Sequence, residues 1–501
     1  MKSERLLLVF DAGTSSTRAL LFRIDGTPVA SAQEDITQHF PRPGWVEHDA
    51  GEIWERTLAC GRAMVARAGG ADRIAAIGIS NQRETAVAWD RSSGEPLTRA
   101  IVWQDRRTSE ACRALKDAGH EPAVTKATGL LLDPYFSATK WRWMLDEVPD
   151  VAAAAASGTL ALGTIESWLV WKLSGGTHVS DASNASRTLL LPLTGAGFDQ
   201  GLCDLFGIPR ASLPEVIDMA GPIATCDPGW FGGAIPICGL AGDQQAATIG
   251  QGCLEPGATK ATFGSGAFIL TSTGEVVPRS KHRLLATVLS QFDGERLYAL
   301  EGSVFVAGSM INWLRDGMGW IDRAAETERI ARDNDSGGVT VVPALAGLGA
   351  PHWRPDAKAA IFGLTLGTRR EQIVRAAMES IAHQCSDLQG AFAADGATWR
   401  TLRIDGGMAA NDWLAQDLAD ILQIAVERPA NVECTARGAA MLAAVGAGLY
   451  PSIRDAYAML PALQRFAPDM SEDVREARLG GWHTALNNVL ASATRYEPDG
   501  R

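Results

Sequence analysis

The sequence predicts an α/β protein built from two related domains that face one cleft. Two glycine-rich hairpins, within residues 6–30 and 258–275, lie about half the chain apart. Strand-like runs such as Ile74–Ile79 alternate with helical patterns such as Asp412–Leu422, which is typical of layered α/β folds. A chain of 501 residues is also too long for one ordinary hydrophobic core.

The first hairpin is predicted from the order of its residue types. An apolar run is followed by a turn of Gly, Ser and Thr residues, a second apolar run and an Asp25-Gly26 hairpin turn. The second segment repeats this order, with Gly264-Ser265-Gly266 as its turn. We therefore expect two domains, residues 1–252 and 253–501.

Two helices are expected in the second half of the chain. The patterns cover Gln372–Leu388 and Asp412–Leu422. In the latter, apolar side chains share one face, and Asp417 and Asp420 fall elsewhere. Small residues over positions 435–444 permit close packing of a further helix, to which we assign no chemistry.

The net charge of −12 excludes one broad class of function. No stripe of Lys and Arg residues is available to follow a nucleic-acid backbone, so we expect no nucleic-acid partner. An anionic cofactor is still compatible with this charge, because backbone N–H groups bind phosphate without a cationic side chain.

The cysteines and the apolar runs indicate a cytoplasmic protein. The eight cysteines are scattered, without C-x-x-C spacing, and are expected to be buried thiols in a reducing compartment. We find no secretory signal at the N-terminus and no uncharged stretch long enough for a transmembrane helix.

The first candidate phosphate site follows the first strand. The common nucleotide motifs G-x-x-x-x-G-K-[ST] and G-x-G-x-x-G do not occur in the sequence. The run from Asp11 to Arg18 instead offers a glycine turn, hydroxyl groups and successive N–H groups, a concavity suited to phosphate oxygens. Asp11 is a candidate for holding Mg²⁺ through water. An ordinary hairpin turn is the alternative interpretation.

Two further motifs place polar residues where a strand ends. In Gly239–Gln245, Asp243 follows an apolar strand and begins a helix, where it could act chemically or simply cap the helix. In Leu402–Asn411, an Asp-Gly-Gly turn allows a flat base to approach the backbone, and Asn411 is expected to cap the next helix.

In this order, these elements resemble the sugar-kinase, Hsp70 and actin superfamily: phosphate loop, acidic motif, adenosine loop and connecting helix. The segments Tyr135–Trp143 and Gly347–Trp353 resemble signatures of the FGGY carbohydrate kinases. The resemblance runs from Leu6 to about Trp482. It implies two actin-like ATPase domains, of the ribonuclease H-like fold, around a central cleft, with ATP and Mg²⁺ as cofactors.

Within that family, the pattern resembles the kinases that phosphorylate glycerol to sn-glycerol 3-phosphate, with Asp243 as the catalytic base. Polar groups suit the three hydroxyls of glycerol, and aromatic rings suit its C–H face. Taken singly, Trp103 and Phe268 could belong to the core, and Arg83 and Glu84 could be a surface ion pair. A kinase for another polyol or sugar, such as erythritol or xylulose, is the alternative function. The implied substrate residues are Arg83, Glu84, Trp103, Tyr135, Asp243, Gln244 and Phe268.

The resemblance also implies the nucleotide-binding residues and the assembly. Relatives form dimers and tetramers, so a homo-oligomer is expected. Ala12, Ser265 and Asn312 stand where relatives have Gln, Thr and Gln. The implied phosphate contacts are Thr14, Ser15, Ser16, Arg18 and Ser265. The implied adenosine-side contacts are Gly308, Asn312, Gly407, Met408 and Asn411.

Two regulatory features of some relatives have no counterpart in the sequence. A loop that binds fructose 1,6-bisphosphate through cations corresponds to Gly229–Pro236, which contains no Lys or Arg. Residues 218–236 contain no His that could be phosphorylated. We therefore expect neither form of regulation.

Overall fold

The computed structural model describes residues 5–431 and 433–493. The strands are β1 (Leu6–Ala12), β2 (Ser16–Arg23), β3 (Pro28–Asp35), β4 (Glu47–His48), β5 (Ile74–Asn81), β6 (Val87–Asp90), β7 (Ala100–Ile101), β8 (Leu160–Gly163), β9 (Val179–Asp181), β10 (Glu215–Ile217), β11 (Ala220–Thr225), β12 (Pro236–Gly242), β13 (Ala258–Phe263), β14 (Ala267–Gly274), β15 (Leu285–Phe292), β16 (Glu295–Val304), β17 (Thr340–Val342), β18 (Ala360–Phe362), β19 (Thr401–Asp405), β20 (Ala425–Pro429) and β21 (Leu463–Phe466).

Helices pack against the larger sheets, and the chain also contains short 3₁₀ turns and a π-helical turn (Trp313–Gly317). The α-helices are α1 (Ala50–Ala68), α2 (Ser109–Asp117), α3 (Glu121–Thr128), α4 (Ser137–Glu147), α5 (Pro149–Ser157), α6 (Ile165–Ser174), α7 (Ala182–Ala185), α8 (Gln200–Phe206), α9 (Pro228–Phe231), α10 (Asp243–Gly250), α11 (Gly308–Asn312), α12 (Glu326–Asp333), α13 (Arg370–Ala394), α14 (Asp412–Leu422), α15 (Cys434–Gly446) and α16 (Glu472–Ala493).

Two sheets share one strand plan. The first sheet has the order β11-β12-β5-β1-β2-β3, and the second has the order β21-β20-β19-β13-β14-β16-β15. In each, an antiparallel hairpin is extended by two parallel strands and closed by an antiparallel edge strand. The internal similarity predicted from the two hairpins therefore extends over whole sheets, and the α/β prediction is confirmed.

The predicted division between residues 252 and 253 falls between the last strand of the first sheet and the first strand of the second. It stays a prediction, and its outer limits, residues 1 and 501, lie outside the described residues. One helix does not follow this division. Helix α15, from the second half of the chain, packs against α10 and against strands β12 and β5 of the first sheet.

Small residues allow this close helix packing. A Cβ atom built on Gly438 of α15 would lie 1.8 Å from the carbonyl oxygen of Ala246. A Cβ atom built on Gly250 of α10 would lie 2.0 Å from the carbonyl oxygen of Cys434. Only glycine fits at either position, because both obstructing atoms belong to the backbone.

Both predicted helices are present in the structure, but the expected position of Asp417 is wrong. Helix α13 is longer than its predicted pattern, whereas α14 has the predicted bounds and is capped by Asn411, whose side chain accepts from the Leu414 N–H. Asp417 was expected away from the apolar face, which is wrong. Its carboxylate is buried because Arg478 of α16 binds both oxygens, at 2.6 and 3.0 Å.

All eight cysteines are buried free thiols, as predicted. Among residues 5–431 and 433–493, no helix is long and apolar enough to cross a membrane.

The close contact between α10 and α15 predicts that adding one methyl group there destabilises the protein. Gly438→Ala should lower the free energy of unfolding by about 1–3 kcal/mol, because the new Cβ atom meets backbone that cannot rotate away. Urea-induced unfolding measures the change. Gly390→Ala is the matched control: Gly390 lies in α13 with no atom within 4 Å of a built Cβ, so this variant should be neutral or more stable. An unchanged Gly438→Ala protein would contradict the packing account.

Candidate active site

The predicted chemistry lies at one edge of the first sheet. Strands β1, β5 and β12 run parallel, and the register pairs Asp11 with Ser80 and Gly242 with Asn81. Their carboxyl ends therefore meet, and ligands of open α/β sheets bind at that edge. The residues that follow these strands include Arg83, Glu84 and Asp243.

Asp243 faces Arg83 at this edge. The Arg83 Nε and an Asp243 carboxylate oxygen are 3.2 Å apart. Gly242 occupies the cap position of α10, so Asp243 is the first helical residue, and its carboxylate accepts from the Gln244 N–H at 2.7 Å. Burial raises the pKa of Asp243, and the Arg83 guanidinium opposes that rise. About a third of the Asp243 side chain (34%) stays exposed, so a ligand can reach it.

Arg83 and Glu84 belong to a buried cluster of four charges with Arg187 and Glu301. Glu301 accepts from Arg83 Nη1 at 2.6 Å and from Arg187 Nη2 at 3.0 Å. Arg187 Nε also donates to Glu84 at 2.6 Å. None of the four side chains is more than 2% exposed, so the surface-pair interpretation of Arg83 and Glu84 is wrong.

The three predicted aromatic residues form one group. The Trp103 ring makes edge contacts with Tyr135, at a centroid distance of 5.6 Å, and with Phe268, at 6.2 Å. All three side chains are only partly buried, unlike core aromatics. Trp103 Nε1 donates to Thr14 Oγ1 at 3.0 Å. The indole therefore joins the tip of the first hairpin to Phe268 of the second.

The Gln244 side chain is hydrogen-bonded to a residue of the second sheet. Lys260, on β13, donates from Nζ to the Gln244 side-chain oxygen. Burial lowers the pKa of Lys260, whereas Asp405 and Asp243 oppose that fall. Asp405 accepts from Gln251 Nε2 at 2.7 Å. These buried polar contacts connect α10 to the strands of the second sheet.

Glu84 has a backbone conformation that is rare for a residue with a side chain. Its φ is +61°, in the left-handed region, and such residues concentrate at ligand clamps. Two donors from helix α4 hold its carbonyl oxygen in place: Lys140 Nζ and Ser137 Oγ, each at 3.1 Å. Lys140 Nζ also donates to the Tyr135 carbonyl. One buried amino group thus fixes the backbone of two predicted substrate residues.

The first phosphate loop is a tight turn, closed by a hydrogen bond from the Gly13 N–H to the Ser16 carbonyl at 3.0 Å. Ser15 is exposed, and Thr14 and Ser16 are partly buried. Arg18 contacts Asp11 at 2.5 Å and Glu433 at 2.9 Å. The guanidinium predicted to meet phosphate is thus also an ion-pair partner of two carboxylates.

The second sheet carries a cavity of about 450 Å³. The carboxyl ends of β13 and β19 open into it, and Ile311 and Met378 give it apolar wall. Glycines shape its rim: a Cβ atom on Gly308 would lie 2.5 Å from the Gly264 carbonyl oxygen. All six nucleotide residues predicted in this half of the chain line the cavity: Ser265, Gly308, Asn312, Gly407, Met408 and Asn411.

The family follows from comparison with known proteins. Residues 6–250 match the N-terminal domain of the FGGY family of carbohydrate kinases, and residues 259–447 match its C-terminal domain. The chain belongs to the FGGY family.

Relatives within the family agree with this assignment over nearly the whole chain. The protein is 51% identical to a glycerol kinase of Methylobacterium nodulans and 52% identical to one of Rhodospirillum rubrum, covering 97% of this chain and 98% or 99% of theirs. A crystal structure of Plasmodium falciparum glycerol kinase with ADP superimposes with a TM-score of 0.91, at 34% identity over 97% of this chain and 98% of that one. A xylulose kinase of Lactobacillus acidophilus shares the fold, with a TM-score of 0.87 at 21% identity over 97% of this chain and 98% of that one.

Sequence reasoning did not find four buried residues of this FGGY site: Lys140, Arg187, Lys260 and Glu301. A signal was present for two of them. Arg187 is the one charged residue between Asp181 and Asp199, and Glu301 is the one between Arg296 and Arg315. An isolated charge in an uncharged run is expected to be paired when it is buried. The identity of its partner cannot be read from the run itself.

The burial of Lys140 predicts a pH dependence of stability. Burial lowers the pKa of Lys140 to about 7, although Glu84, Asp105, Asp133 and Cys112 oppose this shift. Between about pH 7 and pH 10 the unfolded chain therefore binds more protons at this site than the folded chain, so the contribution of Lys140 to stability rises with pH.

Urea-induced unfolding of the wild type and of Lys140→Met at pH 7 and pH 9 tests this dependence. The wild-type free energy of unfolding, relative to the variant, should rise by about 1 kcal/mol per pH unit. Lys126→Met is the control, because the Lys126 side chain is exposed and solvated in both states, and its difference should stay flat. A flat difference for Lys140→Met would contradict the buried, weakly basic lysine.

Proposed function

We propose that the protein transfers the γ-phosphoryl group of ATP to a terminal hydroxyl of glycerol, giving sn-glycerol 3-phosphate and ADP. The contact between Asp243 and Arg83 beside the Trp103, Tyr135 and Phe268 rings carries the proposal. Relatives about 50% identical over 97% of the chain are named glycerol kinase, which supports the same substrate.

The residue types suit a small triol. Arg83, Glu84 and Asp243 can donate to or accept from three adjacent hydroxyls, so that few buried polar groups stay unpaired. Trp103 and Phe268 can cover the C–H face of the substrate. A longer sugar would need partners for further hydroxyls where the site offers aromatic surface.

Asp243 is the group best suited to accept the proton of the attacking hydroxyl. Its raised pKa makes it a better base than an exposed Asp, while Arg83 keeps the carboxylate ionised. The hydroxyl oxygen forms a bond to the γ-phosphorus, the bond from that phosphorus to the β–γ bridging oxygen breaks, and the proton passes to Asp243. The protein otherwise contributes positioning and charge stabilisation.

We infer that Mg²⁺ enters with the nucleotide. Among residues 5–431 and 433–493, no group of three or more His, Cys, Asp or Glu side chains could hold a metal alone. Mg²⁺ typically binds one or two carboxylates, several waters and the substrate phosphates. Asp11 fits this role: Arg18 donates to Oδ2 from both Nε and Nη2, whereas Oδ1 accepts only from Ser80 and has a second lone pair for a magnesium-bound water.

A cytoplasmic location and a dimeric or tetrameric assembly are further inferences from the family. Eight free thiols are compatible with a reducing compartment. Insensitivity to fructose 1,6-bisphosphate stays a prediction from Gly229–Pro236, which lacks a cation in its own sequence.

A panel of polyols tests the substrate. ADP release, coupled to NADH oxidation, should give a kcat/KM for glycerol at least about 100-fold above those for erythritol and xylulose, because the site's polar groups pair fully with the triol alone. Incubation without a polyol gives the background ATP hydrolysis. An equal or higher kcat/KM for erythritol or xylulose would replace glycerol as the substrate.

Asp243→Asn tests the base. The amide keeps the size of the side chain but has no negative charge to accept the proton, so kcat should fall by about 10²–10⁴-fold. The dissociation constant for glycerol, measured by calorimetry, should change much less. Asp49→Asn is the matched control: Asp49 caps α1, where Asn caps equally well, and its turnover should equal wild type. Wild-type turnover in Asp243→Asn would exclude this role.

A further inference from the structure

The four-charge cluster links the triol site to both sheets. We propose that Arg187 and Glu301 are positioning residues that hold Arg83, Glu84 and Tyr135 in the geometry that binds glycerol. The inference rests on the proposed function and names residues that act through the substrate contacts rather than on the substrate.

Arg187 touches two of the predicted substrate residues. Its Nε donates to the Glu84 carboxylate at 2.6 Å, and its guanidinium carbon lies 5.6 Å from the centre of the Tyr135 ring. The same guanidinium carbon lies 5.3 Å from the centre of the Phe136 ring, and the two rings are neighbours, with centroids 5.1 Å apart. A planar cation that binds two carboxylates and packs beside two rings has one orientation, so it fixes the rotamers of Glu84 and Tyr135 together.

Glu301 determines which edge of Arg83 faces Asp243. Its two oxygens accept from Nη1 and Nη2 of Arg83, at 2.6 and 3.2 Å. With both terminal nitrogens engaged, the Nε edge is directed to Asp243 at 3.2 Å. Without this carboxylate, the guanidinium would be free to turn its terminal nitrogens toward Asp243.

Glu301 also connects the site to the second half of the chain. It lies on β16, opposite Leu270 of β14, and the same strand pair sets Phe268 opposite Ser303. The partners of Glu301, Arg83 and Arg187, lie in the first half of the chain. The cluster therefore sets the position of Phe268 relative to the polar half of the triol site.

Of the four charges in the cluster, that of Glu301 should be the one whose loss disturbs the site most. Arg187 and Arg83 hold the pKa of Glu301 at about 2 even though burial opposes this. Both guanidinium groups bind the same carboxylate, so an uncharged residue in its place leaves two buried cations to repel each other. The repulsion would move Arg83 and Arg187 away from their present partners in the site.

Steady-state kinetics of Glu301→Gln tests the proposal. KM for glycerol should rise by about 10- to 100-fold, as expected when a substrate-binding residue loses the partners that orient it. KM for ATP should stay within about 3-fold of the wild-type value. Asp417→Asn is the matched control. It removes the charge of another buried carboxylate bound by both arms of an Arg, Arg478, among residues that do not line the candidate site.

Equal glycerol KM values for wild type, Glu301→Gln and Asp417→Asn would overturn the proposal and assign the cluster to stability alone. Arg187→Lys is the second variant, because an ammonium keeps the charge but cannot reproduce the fork between Glu84 and Glu301. Its glycerol KM should also rise, and glycerol should raise its melting temperature less than that of wild type. If neither variant folds while Asp417→Asn does, the cluster is a folding element and the proposal is wrong.

The wild-type protein separates this inference from the proposed function. If wild type phosphorylates glycerol and the two variants bind it as tightly, only the positioning roles fail. If wild type shows no turnover of glycerol, the proposed function itself fails.

Discussion

Burial of charge beneath the candidate substrate residues is the constraint on which the site depends. Arg83, Glu84, Arg187 and Glu301 are almost fully buried, and isolated charges in such surroundings would be strongly unfavourable. Each is neutralised by a partner from another segment of the chain, and Glu301 reaches across from the second sheet. The polar half of the candidate site therefore forms only when both halves of the fold are in place.

The two sheets with the repeated strand plan carry different parts of the candidate site of this FGGY kinase. Parallel strands of the first sheet end at Asp11, Arg83 and Asp243, where the acceptor substrate is proposed to bind. The equivalent strands of the second sheet end at a cavity of about 450 Å³, within the usual range of ligand pockets. Trp103 contacts both hairpin regions, through Thr14 and Phe268, and so marks the point where donor and acceptor would meet.

Local features of the sequence predicted the fold well, and long-range features did not. The hairpins, the Asn411 cap and the start of α10 at Asp243 depend on neighbouring residues and are confirmed. Asp417 was misplaced because its partner, Arg478, lies 61 residues away. An isolated charge such as Glu301 is visible in the local sequence, but its pairing with Arg83, 218 residues away, is not, for the same reason. The predicted substrate roles came from family resemblance, since Asp243 alone reads as a helix start.

A crystal structure with glycerol and a non-hydrolysable MgATP analogue tests the central claim most directly. A terminal glycerol oxygen should lie about 2.6–3.2 Å from the Asp243 carboxylate and in line with the γ-phosphorus, with the adenosine in the cavity beside Gly407 and Met408. Glycerol bound away from Arg83 and Asp243, or a terminal hydroxyl beyond hydrogen-bond reach of Asp243 in the closed complex, would contradict it.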